Sequence, residues 1–168
     1  MNQKTQYITK AAVIAAVYVA LTALSRVFGL ADGSVQFRLS EALTILPIFC
    51  PAAIPGLTVG CLLANITSTL DPLDMVFGTL ATLLACLVTY AARKVTVKGF
   101  PPISFLSPVV FNGLIVGAEI AFLYEKNAAV FLPSAGLVAA GEAAVVFVLG
   151  TVLFFTIQKN EKLKELLR

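Results

Sequence analysis

Two glutamates are the residues of this chain best placed to do chemistry. Glu119 and Glu142 lie deep inside the apolar runs Ile103–Tyr124 and Gly136–Ile157, each otherwise long enough to cross a bilayer as a helix. A carboxylate in hydrocarbon costs at least about 2.5 kcal/mol even on the lenient insertion scale, so each needs a partner. The partner is either a polar group on a neighbouring helix or a ligand. Ligand binding is the expectation. The other familiar chemistries lack their residues: the chain has no histidine and no tryptophan, and Cys50, Cys61 and Cys86 are far apart in apolar sequence. Zinc, haem and Ser-His catalysis have little to stand on, and neither an enzyme activity, a metal site nor a cofactor is expected. No Gly-x-x-x-x-Gly-Lys-Ser/Thr loop occurs, so the chain carries no P-loop with which to hydrolyse ATP.

The elements that hold the glutamates belong to an all-α integral membrane protein. Of its 168 residues 59% are hydrophobic and 12% charged, which leaves room for one transmembrane domain, residues 1–168, and no soluble module. Nine of the twelve basic residues flank the apolar runs: Lys4 and Lys10, then Arg93, Lys94 and Lys98, then Lys159, Lys162, Lys164 and Arg168. The positive-inside rule places all three groups in the cytoplasm, at a multi-pass cell membrane. If the first span ends outside near Phe28, an odd number of crossings must return the chain by Arg93. Three fit the apolar stretch Ala42–Ala92, so six transmembrane helices with both termini cytoplasmic are expected.

The expected spans are residues 7–28, 39–50, 53–69, 72–93, 103–124 and 134–158. Three crossings between 42 and 92 leave about 16 residues each, fewer than the roughly 20 of a square span. Pro47, Pro51 and Pro55 mark the expected break. Asp71-Pro72 reads as the cap and first position of the fourth span. Leu163, Leu166 and Leu167 extend the last span as a cytoplasmic helix. The basic start and apolar Ala11–Leu24 imitate a signal peptide, with Gly29-Leu30-Ala31 as a cleavage site, but the first span is expected to be retained. No internal repeat is visible.

In this topology the buried polar groups gather in the outer half. Arg38 and Glu41 enter span two from outside, Asn65 and Glu119 near the outer ends of spans three and five, and Glu142 lies about 12 Å below the outer start of span six. Asn112 and Glu119 are two helical turns apart and share a face. In the first span Ala12, Ala16 and Ala20 recur every four residues beside a second row, Ala11 and Ala15. The five make a smooth strip that suits close approach by another helix, within this chain or from a partner.

These features together resemble the substrate-binding S-component of an energy-coupling-factor (ECF) transporter. More narrowly, Val35–Thr44 with its Gln36-Phe37-Arg38-Leu39-Ser40-Glu41 core, Ile54-Pro55-Gly56 to Ala64-Asn65, Phe77–Leu83, and Phe111-Asn112-Gly113 to Gly117-Ala118-Glu119 resemble the queuosine-precursor transporter family. The blocks run through about two-thirds of the chain in family order, and after Lys126 the likeness is thin. The resemblance implies an S-component-like bundle that takes up a deazaguanine base, with ATP hydrolysed by two partner ATPase subunits acting through a transmembrane coupling subunit.

A guanine-like base presents a ring N–H and an amine side by side, which one carboxylate can accept. Glu119 or Glu142 suits that role, and the other would compensate an aminomethyl cation. Asn65, Asn112 or Gln36 would satisfy the remaining edge. Phe37 and Phe77 are stacking candidates, or else packing residues. Arg38 and Glu41 contact the ligand or pair with each other at the membrane surface. A reading from another class is an autonomous proton-coupled transporter with the two glutamates as proton carriers.

Overall fold

Among the described residues, four helices are long and apolar enough to cross a membrane: Gln3–Val27, Met75–Ala92, Pro102–Tyr124 and Ala128–Lys159. They belong to a computed structural model that describes residues 2–31, 36–66 and 72–167 and contains no strand among them. The α-helices are α1 (Gln3–Val27), α2 (Ala53–Ile66), α3 (Pro72–Ala92), α4 (Pro102–Glu119), α5 (Phe131–Val145), α6 (Thr151–Lys159) and α7 (Glu161–Leu167). Wider π turns at Ile120–Tyr124 and Val146–Gly150 prolong α4 and join α5 to α6. The fourth expected span does begin at Pro72, whereas its cap Asp71 and residues 67–69 of the third lie outside the described residues.

The short segment Leu39–Ile48 is wound as a 3-10 helix, and it forms the centre of the bundle. Every residue from Ser40 to Pro47 is buried, and the helix packs against each of α1 to α6. Its winding matters for reach. Ten residues at about 2.0 Å each extend about 20 Å, against about 15 Å in an α-helix. A 3-10 run this long is uncommon, because its hydrogen bonds are poorer and its side chains eclipse. Here surrounding helices hold it. The three prolines divide the work differently from expectation: Pro47 lies inside the 3-10 helix, Pro51 in the link, and Pro55 in the first turn of α2. The break between the two short helices is therefore at residues 49–52.

Small residues set the helix spacing. A Cβ added at Gly56 would lie 2.7 Å from the Ala11 carbonyl oxygen, and one at Gly60 3.0 Å from that of Ala15, so α1 and α2 touch backbone to backbone. Gly113 and Gly117 do the same for α4 against α5: a Cβ at Gly117 would stand 2.5 Å from the Ala135 Cα. Such contact replaces hydrophobic drive as the adhesive between membrane helices. Both termini and the links 49–52 and 93–101 lie at one end of the bundle. Tyr7 there donates to the Pro51 carbonyl at 3.5 Å, Leu166 and Leu167 border the same groove as Lys10 and Ile14, and Phe49 and Phe100 both meet Phe154.

Candidate functional site

The central 3-10 helix carries the focus of the buried polar groups. Glu41, 2% exposed, accepts a hydrogen bond from the hydroxyl of Tyr18 on α1, and Glu142 on α5, 5% exposed, lies close enough to bear on it electrostatically. Glu142 in turn accepts from the Asn112 amide of α4 at 3.3 Å, and that amide also donates to the Pro108 carbonyl at 3.1 Å. Four elements thus converge on two carboxyl groups. The second oxygen of Glu41, Oε2, receives no N–H or O–H from the described residues.

Around this pair stands a ring of further polar contacts. Arg38 reaches Asn65 Oδ1 and the Ala31 carbonyl, both at 3.4 Å, and lies close enough to act on Glu41 and Glu142 through its charge. The Asn65 amide donates to the Cys61 sulfur at 3.6 Å, and the Thr82 hydroxyl reaches the same sulfur at 3.3 Å. Ser40 accepts from Thr22 at 2.8 Å, which fixes the start of the 3-10 helix against α1. Gly78 leaves room for Asn65: a Cβ there would come within 2.9 Å of its amide nitrogen.

The nine expected binding residues therefore separate into groups. Glu142 and Asn112 are bonded to each other with Glu41 near them, and Arg38 and Asn65 form a second bonded pair. Arg38 and Glu41 are both buried, Glu41 under the Tyr18 hydroxyl and Arg38 against Asn65 and the Ala31 carbonyl. Glu119 is also buried, on the same face of α4 as Asn112 but about 10 Å further along. Gln36 and Phe37, just before the 3-10 helix, and Phe77 on α3 are half-buried.

Tyr18, Thr22 and Ser25 were not expected in this setting. Their signal was legible: with Ile14 they recur at the helical period on one face of α1, a polar stripe inside an apolar span. The alanine strip divides along the same line. Ala15 is buried and Ala11 half-buried against α2, so this row packs within the chain. Ala12, Ala16 and Ala20 face outward. Ala15 is thereby withdrawn from the surface a partner could reach.

The sequence profile of the QueT transporter family matches residues 8–159, which takes in the convergent carboxyl pair and every helix that builds it. The chain belongs to the QueT transporter family. It is accordingly a multi-pass membrane protein of a transporter family rather than an enzyme. Among curated proteins, the queuosine precursor transporter QueT of Lactococcus lactis subsp. cremoris (strain MG1363) is 36% identical over 83 residues, 49% of this chain and 48% of that protein. The match spans about half the length of that QueT relative. No solved structure matches the chain.

Proposed function

We propose that this chain is the substrate-binding membrane subunit of an ECF-type importer for a queuosine precursor, a deazaguanine base held where Glu41, Glu142 and Asn112 converge. The observation that carries the reading is the buried Glu41–Glu142–Asn112 set with one carboxylate oxygen left for a donor. A base edge with two adjacent donors suits such an acceptor, and the printed name of the relative supports the substrate class. Arg38 and Asn65 would meet the base's carbonyl side, Glu119 and Gln36 would act nearer the entrance, and Phe37 and Phe77 offer stacking faces.

Six membrane crossings with both termini cytoplasmic fit this role. The two short central helices count as crossings in it, and the shared end of the termini and the basic 93–98 link agrees with the positive-inside rule. The energising partners, a transmembrane coupling subunit and two ATPases, are those the family resemblance implies; the sequence carries no P-loop, and the outward row Ala12, Ala16 and Ala20 offers a surface for close helix approach. No observation favours an autonomous proton-coupled carrier.

Mass spectrometry of ligand extracted from the purified chain, followed by calorimetry with the identified base, tests the substrate. A deazaguanine bound at one site per chain is the expected result, and a chemically unrelated ligand would refute it. Co-purification of a second membrane subunit with ATPases tests the coupling, and uptake by the isolated chain in liposomes would exclude it. Cysteine labels at Lys4, Lys98 and Lys164 should react from the cytoplasmic side alone.

A further inference from the structure

Along one face of α1 the character of the side chains changes at Lys10. Gln3, Gln6 and Tyr7 precede it at helical spacing, and Val13 and Ile14 follow it on the same face. Each half of this stripe borders its own space at the end of the bundle that holds both termini. The polar half, up to and including Lys10, faces residues 50–52 across a cavity of about 300 Å³, and the Tyr7 hydroxyl, which donates to the Pro51 carbonyl at 3.5 Å, ties that wall to α1. The apolar half, again with Lys10, faces Leu166 and Leu167 of α7 across a groove of about 200 Å³. Lys10 thus stands where the two spaces meet. The side chains of Gln3, Gln6 and Lys10 make no hydrogen bond or ion pair with another described residue.

An occupant that matches both spaces has an anionic, hydrogen-bond-accepting end and a hydrocarbon end, in that order from the end of the bundle inward. A lipid of the surrounding bilayer has both in that order. We propose that an anionic phospholipid binds here, with its phosphate against Lys10, Gln3 and Gln6 and the first carbons of one acyl chain between α1 and α7. Phosphate oxygens only accept, which suits an ammonium and two amide N–H groups. Lys10 lies near the start of a membrane-spanning helix, where its stem runs along apolar surface and its ammonium reaches the headgroup level. Val13 and Leu166 are 56% and 66% exposed, so the groove opens to the bilayer and the rest of the lipid stays there. A small anion would leave the groove empty, and an apolar helix of another protein would leave the lysine and the amides unmatched. The site is separate from the carboxyl groups at the bundle centre: Tyr18, the α1 contact of Glu41, stands about 12 Å beyond Lys10 along the helix. It does not depend on the substrate.

The test is native mass spectrometry of the full chain in detergent, stripped of lipid and then titrated with phosphatidylglycerol, with phosphatidylcholine of the same acyl chains, and with glycerol phosphate. One phosphatidylglycerol should be retained per chain, with a preference of about five-fold over phosphatidylcholine, the worth of one lysine beside an anionic headgroup. Glycerol phosphate should not displace it. Lys10→Gln should erase the preference and Lys10→Arg should keep it, whereas Leu166→Asn should weaken retention of both phospholipids. A thermal melt of each variant without lipid shows that the fold is kept. Equal retention of the two phospholipids, an unchanged preference in Lys10→Gln, or unaltered retention in Leu166→Asn would overturn the proposal. So would displacement by glycerol phosphate, which would reveal an anion site alone, and so would retention of no phospholipid at all, which would leave the groove to a helix of another protein. None of these outcomes bears on the deazaguanine reading.

Discussion

Two buried polar clusters in this bundle are built from opposite materials. Between α3 and α4 the Thr89 hydroxyl meets the Ser104 carbonyl at 3.1 Å, the Ser104 hydroxyl meets the Thr89 carbonyl at 3.0 Å, and Ser107 donates to the Ala85 carbonyl at 3.0 Å. This seam is neutral, and backbone carbonyls satisfy its hydroxyls. At the centre, by contrast, Glu41 and Glu142 share one neighbourhood, Arg38 stands beside them, and an acceptor is left over. Burial alone does not distinguish the two, since all of these residues are at most 7% exposed. What distinguishes them is completeness: a satisfied neutral network glues helices, whereas a charged network short of a donor is an invitation to something from outside.

The largest expected effect comes from a change that touches neither cluster. Ala16 faces outward on α1, between Ala12 and Ala20. Ala16→Trp should abolish assembly with the coupling subunit and hence uptake, because a bulky side chain holds apart two backbones that need to touch. Binding and melting of the isolated chain should stay as they were. Pull-down of the complex beside calorimetry of the single chain reads both, and a fully active Ala16→Trp complex would refute the partner surface.

Within the bundle, the comparison is broken if site variants behave like seam variants. Glu142→Gln and Glu119→Gln should each weaken deazaguanine binding by roughly ten-fold to more than a hundred-fold, the worth of a charge-assisted hydrogen bond at about 1.5–3 kcal/mol. Melting should hold, since removing a buried negative charge eases desolvation. Unchanged affinity in both variants would take the glutamates out of the site. A collapsed melt with normal binding would class them with the seam.

The sequence shows where the helices are better than how they are wound. Apolar runs and prolines place α4 and its π turn at Pro102–Tyr124 and α3 at Pro72–Ala92, close to the expected 103–124 and 72–93. The 3-10 winding of Leu39–Ile48 leaves no local trace, because its packing against the surrounding helices, not its propensity, selects it. Gly56-x-x-x-Gly60 and Gly113-x-x-x-Gly117 were readable as close-contact motifs, yet which helices they join depends on tertiary pairing. The same holds for the site. Glu142 declares itself by its apolar surroundings, but its bond from Asn112 joins two different helices, a pairing that periodicity cannot see.

Tyr18 sharpens the comparison at intermediate strength. Tyr18→Phe removes one neutral donor from Glu41 and keeps the ring's packing, so binding should fall about two- to ten-fold, less than for either glutamate change. Direct titration decides it. A loss as large as that of Glu142→Gln would make Tyr18 a ligand contact rather than a support for Glu41.

The smallest effect belongs to the seam. Ser107→Ala deletes the donor to the Ala85 carbonyl and the 2.7 Å contact with Thr89, but the paired bonds between Thr89 and Ser104 remain. Hydrogen bonds between membrane helices average about 0.6 kcal/mol in double-mutant cycles, because the separated helices find other partners. The loss should therefore lower the melting temperature by a few degrees at most, and substrate affinity should not change, as the seam presents no group to the carboxyl pair. A thermal melt and a binding titration on the one variant read both quantities. If affinity fell while the melt held, the seam would be part of the site, and completeness of hydrogen bonding would no longer separate the two clusters.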